Sequence, residues 1–298
     1  MPGFHLLAAT RTLEKTMPFV LYRLLLCLAV TLGYVLATLL GAGFAIALAS
    51  LSRNPTVLAP LGAVLGFGGF GFLMYRLRPL WLHGVEARHL ALLAAQAGGR
   101  PIPDGKAQLD HGGQRVAQSF PSPASLCHFD RLLRQALAEV PAPPAAGALG
   151  TLQGWLTRRL SSLNHRTVLA RHLGSEAGNP WRDAVQGVLA QARHGPYLVR
   201  YRLYGILFEG VGIAAVFPLM LAAVRMLTTP LPIQLGLWAY LFATLLTWVF
   251  KAAFLEPIAE AALLASFLPL AAEPGDATAR AELERRSSAF GKLLENAG

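Results

Sequence analysis

The sequence predicts an all-α membrane protein. Four transmembrane helices pair into two hairpins, with a cytoplasmic helical domain between them and an amphipathic C-terminal tail. Three observations predict this. Apolar residues make up 54% of the 298 positions and charged ones only 14%. The apolar residues gather in four blocks, each near the roughly 20 residues that cross a bilayer core of about 30 Å. Lys and Arg crowd the segments beside these blocks and largely avoid the short loops inside each pair, a bias that sets membrane orientation.

Residues 1–23 read as an N-terminal cytoplasmic or interfacial segment carrying Arg11, Lys15 and Arg23. Hairpin one covers 24–76, with spans at 24–49 and 57–75 joined by "LSRNPT", whose Asn-Pro breaks the helix. The first span ends in "AIALAS", which has the A-x-A pattern of a signal-peptidase site. Its apolar run far exceeds the 7–15 residues of a secretory signal, so it reads as a retained anchor.

Small residues recur at helical spacing on both spans: Gly33, Ala37 and Gly41 on one, Gly62, Gly66 and Gly69 on the other. Lipid gives helices no hydrophobic reason to pair, so close backbone approach supplies the attraction. These glycines are therefore expected to zip the hairpin, or to leave a face for contacts between copies. The glycine-rich hairpin with its "SRNP" loop resembles the proteolipid subunit of rotary ATP synthases. That family would imply a proton-carrying carboxylate on the second span, and this sequence has none there.

The cytoplasmic helical domain covers 77–203. "GVEARHLALLAAQAG" (84–98) predicts a helix ended by Gly98 and Gly99. The Gly- and Pro-rich stretch 99–120 predicts a loop or short hairpin. Ser122 is an N-cap candidate with Pro123 at the first helical position, followed by the stripe Leu126, Phe129, Leu133 and Leu137. "PAPPAAGALG" (141–150) is a linker by composition. Helices at 151–173 and 180–194 complete a small bundle, with Asn179 capping the second and Gly195-Pro196 ending it.

Hairpin two covers 204–251, with spans at 205–226 and 233–250 joined by "LTTPLP" and its two prolines. Residues 252–298 are expected to form interfacial and cytoplasmic helices. From Ile258 the apolar run is only about 22 Å long as a helix, short for a span. It is expected to lie in the interface, with Glu256 and Glu260 one turn apart facing headgroups or protein; a re-entrant dip is the alternative. The last stretch predicts a surface helix with the stripe Leu283, Phe290, Leu294 and a Glu282–Arg286 pair.

Between Arg76 and Arg202 stand 16 basic and 7 acidic residues. This places the central region and both termini in the cytoplasm of a bacterial inner membrane, with both hairpin loops outside.

Two charges interrupt the second hairpin. Glu209 and Lys251 lie nearly equidistant from its turn, so antiparallel helices put them at one depth, about 27 Å below the outer edge. That is the inner rim, where snorkelling keeps the cost of charge small. An ion pair clipping two helices is expected there. The competing reading has Glu209, with Glu256 or Glu260, lining a cation or proton path.

The net charge of +10 lacks the clustered, aromatic-interleaved stripe of a nucleic-acid groove. Cys27 and Cys127 form no framework, and the histidines lack a helical metal spacing, so neither metal nor cofactor is expected. There is no phosphate loop, metalloprotease motif or nucleophile elbow. The sequence thus predicts a non-enzymatic membrane interaction or assembly component, with the bilayer and a protein partner or further copies of itself as its contacts. The alternative is a homo-oligomeric channel or small transporter built on the glycine-rich hairpin and Glu209.

Overall fold

Every regular element among the described residues is helical. The computed structural model describes residues 5–51, 54–77, 81–141, 147–175, 178–230, 236–273 and 277–298. In chain order the helices are α1 (Leu6–Lys15), α2 (Met17–Leu48), α3 (Ala59–Leu77), α4 (Leu82–Ala97), α5 (Ala107–Ser119), α6 (Pro123–Ala138) and α7 (Gly147–Ser162). They continue with α8 (His165–Gly174), α9 (Pro180–Thr228), α10 (Leu237–Phe250), α11 (Glu256–Ala271), α12 (Ala277–Arg286) and α13 (Ser288–Ala297). Arg53, residues 142–146 of the predicted linker, and Pro232 with the start of the predicted fourth span lie outside the described residues; the end of that linker, from Gly147, already belongs to α7.

Four helical runs are long and apolar enough to cross a membrane: Met17–Leu48, Thr56–Leu77, Pro180–Thr228 and Leu237–Ala271. The chain divides into two units. Unit 1 takes Met1–Val20, His83–Glu209 and Glu256–Gly298; unit 2 takes Leu21–Leu82 and Gly210–Leu255.

Unit 1 has a conventional helical core. Ser122 caps α6 through a capping box with Ser125, and Pro123 occupies its first turn. Leu126, Phe129, Leu133 and Leu137 are all buried, together with Leu283, Phe290 and Leu293. The predicted terminal helix is divided: it breaks between α12 and α13 at Ser287, whose side chain accepts from the Phe290 N–H at 3.0 Å while its hydroxyl donates to Glu139. The same hydroxyl thus starts α13 and ties it to the C-terminal end of α6.

Several elements differ from the sequence expectation. Residues 107–119, expected as loop or hairpin, form α5, and the turn before it is set by Gly105 at φ 60°. Gly112 sits inside that helix because a Cβ there would approach the Arg88 carbonyl oxygen to 2.8 Å. It permits helix contact rather than breaking a helix. The predicted helix 151–173 is two, interrupted at Asn164, which turns its amide to Gln191 at 2.9 Å. Gly195-Pro196 does not end a helix. The chain kinks at His194 and α9 continues, as a proline missing one backbone bond allows.

The largest difference is α11. The apolar run from Ile258 is expected to lie on the interface. Instead a π turn at Lys251–Leu255 leads directly into α11, with Pro257 in its first turn. The wider i→i+5 turn absorbs the missing proline N–H. Helix α11 then packs against α1 and α8 and buries Ala259, Glu260, Ala261, Ala262, Leu263, Leu264, Ser266 and Phe267, leaving Ala265 and Pro269, one turn apart, on an exposed edge. Burial over most of its circumference packs this helix into unit 1, with one narrow edge left open.

Unit 2 is built on different terms. The most apolar windows of α2, α3 and α9 are only 11%, 11% and 0% buried. Leu25, Leu40, Phe44, Leu65, Phe72, Val211 and Leu219 point outward. Such a surface suits hydrocarbon and no aqueous solvent. Within the unit, a Cβ on Gly41 would strike the Gly62 carbonyl, one on Gly66 the Ala37 carbonyl, and one on Gly33 the Phe70 ring. Gly69, placed by spacing in the same packing set, has no neighbour within 4 Å. A second contact joins α9 and α10 through Val224, Ala239 and Ala243, and Arg225 donates to the Tyr240 hydroxyl at 2.8 Å.

Candidate functional site

The two carboxylates of α11 define the site. Glu256 in its first turn and Glu260 four residues on lie on one helical face. Each meets an arginine inside unit 1. Arg166 of α8 stands between two carboxylates: its Nη2 donates to Glu86 Oε2 at 3.0 Å and its Nη1 to Glu256 Oε1. Burial alone would lower the Arg166 pKa. Glu86, Glu260, Asp130 and Glu209 outweigh it and hold the value above its ordinary level, so the guanidinium stays charged.

Arg202 of α9 donates through Nη1 to Glu260 Oε1 at 2.7 Å and through Nη2 to the Leu163 carbonyl. Both partners are buried, at 6% and 5% exposure. Arg202 Nε and Glu260 Oε2 make no hydrogen bond among the described residues, so the pair is desolvated without being fully satisfied. A buried pair of this kind contributes little net stability yet is severely destabilising when one partner is lost.

A second polar cluster lies in the same unit. His165 Nδ1–H donates to the Ser162 carbonyl at 2.8 Å, and its Nε2 lies 3.0 Å from Arg134, which also donates to Asp130 Oδ2 at 2.8 Å. An imidazole nitrogen facing a guanidinium must offer its lone pair. Burial, then the Arg134 and Arg166 charges, push the His165 pKa well below its ordinary value, which keeps the ring neutral.

A third group has the connectivity of a nucleophilic relay. Ser119 Oγ lies 2.9 Å from His172 Nε2, and His172 Nδ1 lies 2.7 Å from Asp183 Oδ2. Acyl chemistry also needs backbone donors for the oxyanion beside the serine. The next three residues offer none: the Phe120 N–H bonds Val116, residue 121 is proline, and the Ser122 N–H bonds Ser125 Oγ. As contacts, these three side chains staple α5, α8 and α9 together. No group of three or more His, Cys, Asp or Glu among the described residues is placed to hold a metal ion.

The residues singled out by sequence are distributed as follows. Glu256 and Glu260 belong to the network just described. Glu209, half-buried in unit 1, adds to the negative field at Arg166. Lys251 falls in unit 2 at the π turn, with its ammonium 5.3 Å from the Trp248 ring centroid. The Glu209–Lys251 pair stays an expectation from spacing. Sequence reasoning missed Glu86, Arg166 and Arg202. The only available signal was that a buried carboxylate pair on an apolar helix requires cationic partners, without saying which of 26 basic residues supply them.

All 16 acidic residues of the chain lie in unit 1, and unit 2 has none. The fold and the site thus define an all-helical protein with four helices suited to crossing a membrane and a second, charge-networked unit. No protein-family model matches the chain, and neither a curated protein nor a solved structure does.

Proposed function

We propose that the chain is an integral inner-membrane interaction or assembly component with no enzymatic chemistry of its own. Unit 2 anchors it as two hairpins with both loops outside. Unit 1 and both termini lie on the cytoplasmic side, as the excess of Lys and Arg beside the spans favours. Unit 1 then serves as a platform for a protein partner or a second copy of the chain.

One observation carries this reading: the division of acidic residues. The channel reading rests on carboxylates lining a cation or proton path through the spans. The membrane-suited unit has no Asp or Glu, and two of the three glutamates expected to line such a path, Glu256 and Glu260, are paired with Arg166 and Arg202 inside unit 1.

The test separates anchor from channel. The purified full chain in liposomes is expected to pass cations and protons at the background rate, with Glu209→Gln indistinguishable from wild type. Native gels and crosslinking in mild detergent are expected to show a stable hetero- or homo-complex. Cation flux that Glu209→Gln abolishes would replace this proposal with the channel reading.

A further inference from the structure

Helix α7 has one edge with no partner inside its own unit. Its C-terminal turn is buried through Leu160, Ser161 and Ser162. Trp155 and Leu156, in contrast, are 59% and 45% exposed, among the large apolar side chains of unit 1 that water can reach. Arg158 and Arg159 are exposed beside them. At 100° per residue, Trp155 lies between Arg158 and Arg159 on the helix surface, with Leu156 on the flank.

The charge on this edge is uncompensated. Helix α7 contains no Asp or Glu, and neither arginine forms an ion pair with a described residue. The Arg158 Nε–H reaches only the Gly154 carbonyl of its own helix, at 3.3 Å. The edge therefore combines an indole, a leucyl side chain and two free guanidiniums. A protein partner of ordinary composition would match the apolar pair but would need acidic groups placed opposite both arginines. An anionic bilayer surface supplies both halves at once, because its headgroups take the guanidiniums and its acyl boundary takes Trp and Leu. The chain is itself suited to reside in a membrane, so such a surface is within reach of any unit tethered to it.

We propose that the Trp155–Leu156–Arg158–Arg159 edge of α7 docks on the anionic lipid surface of the membrane that holds unit 2. Near such a surface each arginine changes partitioning by about fivefold, and the two together by about thirtyfold.

The test uses the full chain in lipid nanodiscs, with Cys27→Ser and Cys127→Ser and a nitroxide at Leu156→Cys. A second nitroxide at Gln135→Cys, an exposed position on α6, serves as the reference. In discs containing phosphatidylglycerol, the label at 156 is expected to be shielded from an aqueous nickel chelate and open to oxygen, while the label at 135 is not. Discs of phosphatidylcholine alone, or the Arg158→Glu/Arg159→Glu variant, should raise aqueous access at 156 by tenfold or more. Equal access in both lipids overturns the proposal. If 156 is open everywhere, α7 faces water; if it is shielded everywhere, protein covers it. Should the charge-reversed variant misfold, the comparison between the two lipids decides alone.

Discussion

Unit 1 and unit 2 solve the same problem, holding helices together, by opposite means. Unit 1 contains every carboxylate in the chain, buries several of them and neutralises them with arginines from distant segments. Unit 2 contains no carboxylate, leaves its leucines and phenylalanines facing outward and brings helices together where side chains are missing. The difference matches what two solvents would ask of a helical protein. In water, apolar burial drives association, and charged groups can be carried inside at a cost. In lipid that drive is gone, so contact depends on how closely two backbones approach.

The comparison is most severely tested at Arg202–Glu260. Glu260→Ala strands a buried guanidinium and should destabilise unit 1 by about 3–5 kcal/mol, read as a fall in the thermal midpoint of the purified protein. The double change Arg202→Met/Glu260→Leu should recover most of that loss, because two apolar side chains of similar bulk satisfy the same site. If the double variant is no better than the single one, the network does more than fill space.

In unit 2 the corresponding test is steric. Gly66→Val places a branched side chain against the Ala37 backbone and should cost about 1–3 kcal/mol. Gly69→Ala, three residues on and without a neighbour, should be neutral or stabilising by up to about 1 kcal/mol through helix propensity. A reversed order would mean that α2 and α3 meet through another face.

A pH series sharpens the contrast further. The folded His165 pKa lies below its unfolded value of 6.5. Its neutral form is therefore favoured by folding, and the contribution is complete above that value. It is lost as pH falls through 6.5 toward the folded pKa, where only the unfolded state takes up the proton. The thermal midpoint should drop on acidification below pH 6.5, and His165→Gln should flatten that slope. A small effect is expected at the staple: Ser119→Ala should cost about 1 kcal/mol. Wild type should also resist a fluorophosphonate probe, and labelling at Ser119 would reinstate the relay as catalytic.

These two modes of packing differ in how well a sequence reveals them. The four apolar runs, the Ser122-Pro123 start of α6 and the buried Leu126–Leu137 stripe follow from local spacing and were legible. Glycine was ambiguous: Gly105 marks a turn, whereas Gly112 marks the close passage of α4, and nothing local tells them apart. Spacing left open whether the two glutamates of α11 face headgroups or protein. Their partners at 166 and 202 stand 90 and 58 residues away along the chain, and pairing at that range is decided by tertiary packing.

The uneven placement of acids has a practical corollary for chemical modification. A lipid-soluble carbodiimide reacts with carboxylic acids that membranes conceal. Here it would find nothing to attack between Leu21 and Leu82 or between Gly210 and Leu255. Any adduct on this protein would thus report on the arginine-guarded half alone, and any proton crossing the other half would have to travel without a glutamate or an aspartate to carry it.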